Sequence, residues 1–326
     1  MKRTILALLV AAMLLSIGTA YGLAVGAFQV FPHDTLRSVY DRVRPAPSHG
    51  PWSIGIYEGA DLFDLGPAAG ATNPVLTAAD VTDRDAVFVA DPFWMAHEDE
   101  YLMFFEVLNR ERWLGEIALA RSPDGLDWSY EGIVLAEDFH LSYPQVFEWN
   151  DAYYLIPESG RDWSVRLYRA REYPAEWEYV GNLLSGYRYV DPSIFRYDDT
   201  WWMFVGTGEN DVLNLYFSDE LETGWQPHPA NPIVRDNMHE ARPGGRVKVV
   251  DGEPIRFAQD CYPSYGLRIF GFRVSELTRD SYAEEPLSTD PLIDGSGSGW
   301  NAAGMHHIDA IATENGWFAV VDGRDR

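Results

Sequence analysis

FVADPFWMAHEDEYLMFFE, residues 88–106, sets an Asp-Pro pair ahead of a hydrophobic, aromatic run, with nine positions from Pro92 to Tyr101. The same spacing returns from Pro144 to Tyr153 in LSYPQVFEWNDAYYLIPE (141–158) and from Pro192 to Trp201 in YVDPSIFRYDDTWWMFVG (189–206). A looser copy runs from Arg242-Pro243 towards Ile255, and a fifth places His307-Ile308 before Trp317 in HHIDAIATENGWFAVVD (306–322). The copies lie roughly fifty residues apart, the size of one four-stranded propeller blade. If each anchor marks an inner strand, Asp91, Tyr143, Asp191, Arg242 and His307 recur at one depth around a common axis. They would then form a polar ring at the mouth of a funnel.

The rest of each repeat agrees. Residues 117–135, 165–184 and 213–234 each alternate apolar positions, break at Gly or Pro, and resume after a Trp, a pattern of two further strands. Trp128, Trp177 and Trp225 fall at matching places, which predicts packing between blades. The chain stops at Arg326, just after the second strand of the fifth repeat. Its missing half is expected at the other end. Residues 53–76 copy the third- and fourth-strand pattern, with Asn73-Pro74 standing where Asn231-Pro232 stands in the third repeat. Pairing of that segment with Trp317–Val321 would close the ring and leave no long exposed edge. The predicted fold is all-β: one five-bladed β-propeller over residues 52–326, closed by its N-terminal segment.

Residues 1–30 read differently. Lys2 and Arg3 precede an apolar run from Thr4 to Phe28 that no charge interrupts, long enough to span a bilayer as a helix. A signal peptide cleaved near residue 20 is the competing reading, but apolar character continues through Leu23, Val25, Phe28 and Val30. The expectation is a transmembrane anchor, with residues 31–51 as a juxtamembrane stalk and the propeller extracytoplasmic; cleavage would give a secreted form. The formal charge of −25, with Lys only at positions 2 and 248, argues against nucleic acid or anionic lipid as partners. A surface so acidic also suits a high-salt, halophilic setting. The lone Cys261 excludes an intrachain disulfide and reads as a buried structural thiol.

WSIGIYEG, FVADPF, MFFEV, SPDGLDWSYEGIVL, FHLSYPQVF, IPES, RPGGR, FAQDCYPSYG and MHHIDA, in that order between Trp52 and Gly323, resemble the N-terminal domain of glucosamine inositolphosphorylceramide transferase and its prokaryotic relatives. That domain is similar in turn to the five-bladed arabinanase, levansucrase and invertase glycosidases. The resemblance implies a propeller and a link to glycans. In the plant protein a separate C-terminal glycosyltransferase domain moves the sugar, so the transfer reaction is not implied for this stretch. The glycosidases use an Asp base on the first blade, an Asp on the third that tunes the acid, and a Glu acid near the fourth. Asp91 and Asp191 match the first two. Glu240 is the nearest match to the third, three residues before Pro243 where the glycosidases have a shorter spacing; Glu158 or Asp260 could replace it.

Each assignment has a plainer counterpart. An Asp before Pro can cap a turn, and Asp290-Pro291 fits no anchor. Glu106 and Glu158 end equivalent strands, as ligand-facing acids or as satisfied strand-end carboxylates. His140, His306 and His307 could meet a sugar hydroxyl, a central cation such as calcium, or only a neighbouring hydrogen-bond partner. No cofactor is otherwise predicted. Tyr143 and Asp260 are candidate sugar contacts, and Arg242 either binds substrate or neutralises the acidic ring. Two function classes remain: a glycoside hydrolase-like protein acting on polysaccharide, surface glycan or glycolipid, and a non-catalytic glycan-binding scaffold for a separate glycosyltransferase partner. A purely structural surface protein is a weaker third. The run Thr4–Phe28 is expected to hold the chain in the membrane fraction, with the propeller cut by external protease. Recovery of a soluble form beginning near Tyr21 would show a cleaved signal instead.

Overall fold

A computed structural model of the chain describes residues 51–314 and 316–326. The expected anchor and stalk lie outside the described residues, among which no helix is long and apolar enough to cross a membrane. Five antiparallel sheets follow one another along the chain. Blade 1 comprises Ala86–His97, Glu100–Asn109, Leu114–Ser122 and Ser129–Leu135. Blade 2 comprises Ser142–Trp149, Ala152–Ser159, Ser164–Glu172 and Glu176–Ser185. Blade 3 runs from Val190–Tyr197 through Thr200–Thr207 and Val212–Ser218 to Gln226–Pro227. Blade 4 is built on Arg242–Pro243, Glu253–Asp260, Arg268–Leu277 and Tyr282–Pro286.

Blade 5 takes strands from both ends of the described chain. Ile308–Thr313 pairs with Gly316–Arg324, which pairs in turn with Trp52–Gly59 from Trp52 opposite Arg324 to Gly59 opposite Trp317. The predicted match of Asn73 with Asn231 is borne out in atomic detail. Asn73 accepts from Ile56 N at 2.7 Å and donates to Ile56 O at 2.9 Å, while Asn231 does the same to Leu215 at 2.7 Å each way. Each side-chain amide thus stands in for a strand neighbour where the fourth strand is too short to satisfy the third.

The middle strands are hydrophobic on consecutive residues because both faces of every blade are covered. Met103 and Phe105 pack against Ile54, Ile56 and Val320 of blade 5, whereas Leu102 and Phe104 pack against Val146, Leu155 and Tyr168 of blade 2. Each of the other interfaces likewise has its own cluster: Ile156 and Leu167 with Met203 and Val205, Phe204 and Leu215 with Val247 and Val274, Phe257 and Ile269 with Ala310 and Val321. At about 1.5–3 kcal/mol per fully buried large apolar side chain, these seams are the main favourable contribution to folding. The repeated tryptophans serve them. Trp177 stands edge-on to Phe104 at 5.7 Å across an interface, and the indoles of Trp128, Trp177 and Trp225 each donate to a nearby carbonyl at 2.9–3.0 Å.

The irregular fourth repeat also has a physical reason. Gly245 takes a left-handed φ of +152° and lies beside Ile308 in a parallel bridge; a Cβ there would fall 1.9 Å from Ile308 O. The inner strand therefore breaks between Arg242–Pro243 and Lys248–Val250, which lengthens the spacing to Ile255. Deleting residues 1–76 removes two strands of blade 5 and is expected to abolish cooperative unfolding, while deleting 1–45 leaves a folded propeller. Circular dichroism with thermal melting checks this, and a cooperative 77–326 fragment would refute ring closure.

Candidate functional site

On blades 1 to 3 the residue before the anchoring Pro has an unusual backbone. Asp91, Tyr143 and Asp191 adopt left-handed φ of 52°, 47° and 49°, and each sits at a break in register with its partner strand. Such bulges re-aim a side chain at about 1–3 kcal/mol of local strain. The recurrent X-Pro pair is thus a device that turns one side chain on each of these three blades towards the axis.

What those side chains meet differs from blade to blade. Asp91 Oδ2 accepts from Tyr143 N at 3.2 Å, and Asp91 N donates to Asp322 Oδ2 at 3.0 Å. His306 Nδ1 lies 2.7 Å from Asp322 Oδ2 and 3.7 Å from Asp91 Oδ1. Asp191 is gripped by Arg242, whose Nε donates to Oδ2 at 2.6 Å and Nη2 to Oδ1 at 3.1 Å, and by Gln259 Nε2 at 2.8 Å. The same guanidinium reaches Glu158 Oε2 at 3.5 Å and Asn210 at 2.7 Å, beneath the Tyr265 ring. Glu106 lies 3.3 Å from His140 Nε2, while His140 Nδ1 accepts from Gly115 N at 2.8 Å.

Asp91, Glu106, Glu158, Asp191 and Asp322 are all buried, and the electrostatics follow. Burial, then the Asp191 charge, pushes Glu158 up to about 8 despite Arg242. Burial likewise lifts Asp91 to about 7, with Asp191 and Asp322 adding to it and His306 opposing. Glu106 is pushed well above the carboxylate range by burial and by Asp91 and Glu158. For Asp322 burial works upward, but His306 outweighs it and holds the carboxyl below its ordinary value. One set of clustered acids therefore contains both proton-holding and proton-free members, as acid/base chemistry requires.

Several expected contacts have other employment. Tyr143 is sealed inside, its hydroxyl 2.7 Å from Ser193 Oγ and receiving Gly245 N at 2.7 Å, so it ties blades 2, 3 and 4 together and offers no surface to a sugar. His307 is also fully enclosed, edge-on to Phe93 and Tyr143, and burial lowers it to about 4. The Glu240 carboxylate has a local partner instead: it accepts from Asn237 Nδ2 at 2.9 Å in the turn before blade 4. Asp260 is held by His239 Nδ1 at 2.9 Å and by Tyr262 N at 3.0 Å. His306 is stacked on Trp52 at 3.8 Å. Asp91, His306 and Asp322 bring one ligand atom each within 4.8 Å of one another, and among the described residues this is the group that could hold a cation.

The anchor spacing does not single out Asp322 or Gln259, although Asp322 carries a signal of its own. It stands five residues after Trp317, as Glu106 does after Tyr101, Glu158 after Tyr153 and Asp260 after Ile255. A second ring of acids therefore accompanies the anchor ring, interrupted at Gly206. Deeper along the axis, Asp309 binds Arg246 at 2.9 Å, Lys248 at 2.9 Å and Trp94 N at 3.1 Å. There the two cations outweigh burial and hold the carboxylate at about 2.

These pKa values fix the sign of a pH dependence. Glu158 and Asp91 hold protons more tightly when folded, so their stabilisation is complete below the ordinary carboxylate range and is lost as pH rises through about 7 to about 8. The raised His306 has the same sign, whereas the lowered His307 adds stability only up to its ordinary 6.5. Between pH 6.5 and 8 stability should therefore fall, and Glu158→Gln should flatten that fall. Denaturant midpoints across the window check this; a variant profile parallel to wild type would contradict it.

Residues 45–324 match the family model described as glucosamine inositolphosphorylceramide transferase 1, N-terminal. Glucosamine inositolphosphorylceramide transferase 1 of Oryza sativa subsp. japonica is 36% identical over 298 residues, covering 84% of this chain and 40% of its own length. The Arabidopsis thaliana protein of that name is 34% identical over 301 residues, 85% of this chain and 39% of its own. The chain thus spans about two fifths of these relatives. Among solved structures, the catalytic domain of Coprinopsis cinerea GH62 α-L-arabinofuranosidase superposes with a TM-score of 0.57 at 14% identity, over 86% of this chain and 98% of that one. The β-1,2-mannobiose phosphorylase of Listeria innocua gives 0.59 at 13% identity, over 82% and 96%. At such identities the likeness speaks for the fold.

Proposed function

The chain belongs to the glucosamine inositolphosphorylceramide transferase 1 N-terminal family, and from that premise we propose that its propeller is a carbohydrate-active module that hydrolyses a glycosidic bond with funnel carboxylates. The observation that carries this reading is the pair of carboxyls on blades 1 and 2 raised to about 7 and about 8, both under the influence of Asp191. Glu158 takes the general-acid role that the sequence alone suggested for Glu240, because it is a buried carboxyl that keeps its proton at neutral pH and shares the Arg242 guanidinium with Asp191. It gives that proton to the leaving oxygen as the C–O bond breaks. Asp91, when ionised, takes a proton from the attacking water. Arg242 and Asp191 are positioning residues: the guanidinium fixes Asp191 with two hydrogen bonds and reaches Glu158 from the same fork. Asp322, acting through His306, sets the charge that Asp91 feels.

We further place the propeller outside the cytoplasm, tethered by residues 4–28, in a setting whose salt screens its net charge. The substrate then lies among polysaccharides, surface glycans or the sugar headgroups of glycolipids. A second reading, a glycan-binding module working beside a glycosyltransferase, is favoured by the name of the relatives it matches, glucosamine inositolphosphorylceramide transferase 1. In it the same carboxylates only accept from sugar hydroxyls.

A panel of aryl glycosides and polysaccharides in high salt, with reducing-end detection, separates the two. Glu158→Gln and Asp91→Asn are expected to cut turnover by about 10²–10⁴, the usual worth of an acid or base group. Glu240→Gln should stay near wild type. Binding of the panel without turnover would favour the second reading.

A further inference from the structure

Most tryptophans of the propeller are accounted for by packing, but two are not. Trp113 and Trp163 are 46% and 44% exposed, and neither ring has an aromatic or hydrogen-bonding partner among the described residues. Both sit in left-handed backbone, with φ of 53° and 58°, conformations that a bulky side chain enters only under constraint. They occupy the same place in adjacent blades, immediately before the third strands that begin at Leu114 and Ser164. The preceding second strands carry Glu106 and Glu158, so both loops lie at the end of the propeller where the acids cluster. Tyr187, 51% exposed, follows Gly186, whose N donates to Trp163 O at 2.8 Å. Strain and exposure together, at equivalent positions and with no ring or hydrogen-bond partner in return, mark a binding role.

We propose that Trp113 and Trp163, with Tyr187 beside the second, form a stacking platform at the funnel rim that holds the outer units of an extended glycan chain. The proposal rests on the glycan reading of the funnel and adds which residues grip the units beyond the one at the carboxylates. The chemistry selects the occupant. Each indole stands among charged neighbours, Glu111 and Arg112 in one loop and Arg161 and Asp162 in the other. A sugar ring offers an apolar C–H face to the electron-rich indole and hydroxyls at its edge to those charges. A bilayer would instead need contiguous apolar surface, which two isolated rings flanked by carboxylates do not supply.

The test uses the full chain on an array of immobilised oligosaccharides of graded length. Trp113→Gly and Trp163→Gly should each weaken binding of the longer members by about tenfold and spare the shortest, whereas Asp191→Asn weakens short and long alike. Because glycine enters left-handed backbone without strain, both variants should melt at or above the wild-type temperature. Unchanged affinity for long members, or a marked fall in melting temperature, would overturn the platform while leaving the funnel reading intact. Flotation with phosphatidylcholine vesicles that depends on these tryptophans would also overturn it. A wild type that binds no array member would defeat both readings.

Discussion

The carboxylate of Asp322 is where the ring is locked and where the funnel begins. It sits fully buried on the last strand, which joins the N-terminal strand Trp52–Gly59 to Ile308–Thr313. It accepts from Asp91 N, His306 N and His307 N, each at 3.0 Å, and pairs with the His306 ring. Those three amides have no strand partner, because Asp91 lies in its bulge and His306 and His307 precede the strand that opens at Ile308. A buried N–H left without an acceptor costs about 1–3 kcal/mol, so one side chain stabilises the closing seam and the first bulge together. Closure and site geometry are therefore a single constraint.

Around the axis the same logic repeats as a chain of links between neighbouring blades. Asp91 accepts from Tyr143 N, Gln145 exchanges two hydrogen bonds with Ile194, Ser193 donates to Gly245 O, and Ile308 N donates to Gly244 O. Asp309 completes the circuit at Trp94 N. The apolar seams drive the blades together without direction. These polar links select the rotation at which they meet.

Charge is divided along the axis by whether it is compensated. The deeper layer sets Arg246 and Lys248 against Asp309 and is electrostatically closed, so its carboxylate is held far below its ordinary value. The upper layer gathers Asp91, Glu106, Glu158, Asp191 and Asp322 around Arg242 and His306, with more acids than cations. The surplus is carried by protons on carboxyls that burial would otherwise make too costly to ionise. A protein of net charge −25 thus keeps its few buried cations where they set the state of particular acids.

The blade count, the closing segment and the Asn73–Asn231 correspondence were legible in residue spacing, because strand length and turn chemistry are local and every repeat obeys them. The residues aimed at the axis were legible too, since an X-Pro bulge is a local device, and the offset of five from the second-strand opening could have yielded Asp322. What each side chain does there was decided only by the tertiary structure. Tyr143 and His307 share a register with Asp91 and Asp191, yet they are enclosed by Ser193, Gly245 and Phe93, which belong to other blades. Glu240 and Glu158 are both candidate acids in the sequence, but it is the Glu158 carboxylate that meets the Arg242 guanidinium and feels the Asp191 charge, both more than thirty positions away along the chain, while that of Glu240 accepts from nearby Asn237. A carboxyl's proton affinity depends on desolvation and on charges a few ångströms off in space, and in a closed ring most of those neighbours come from distant parts of the chain.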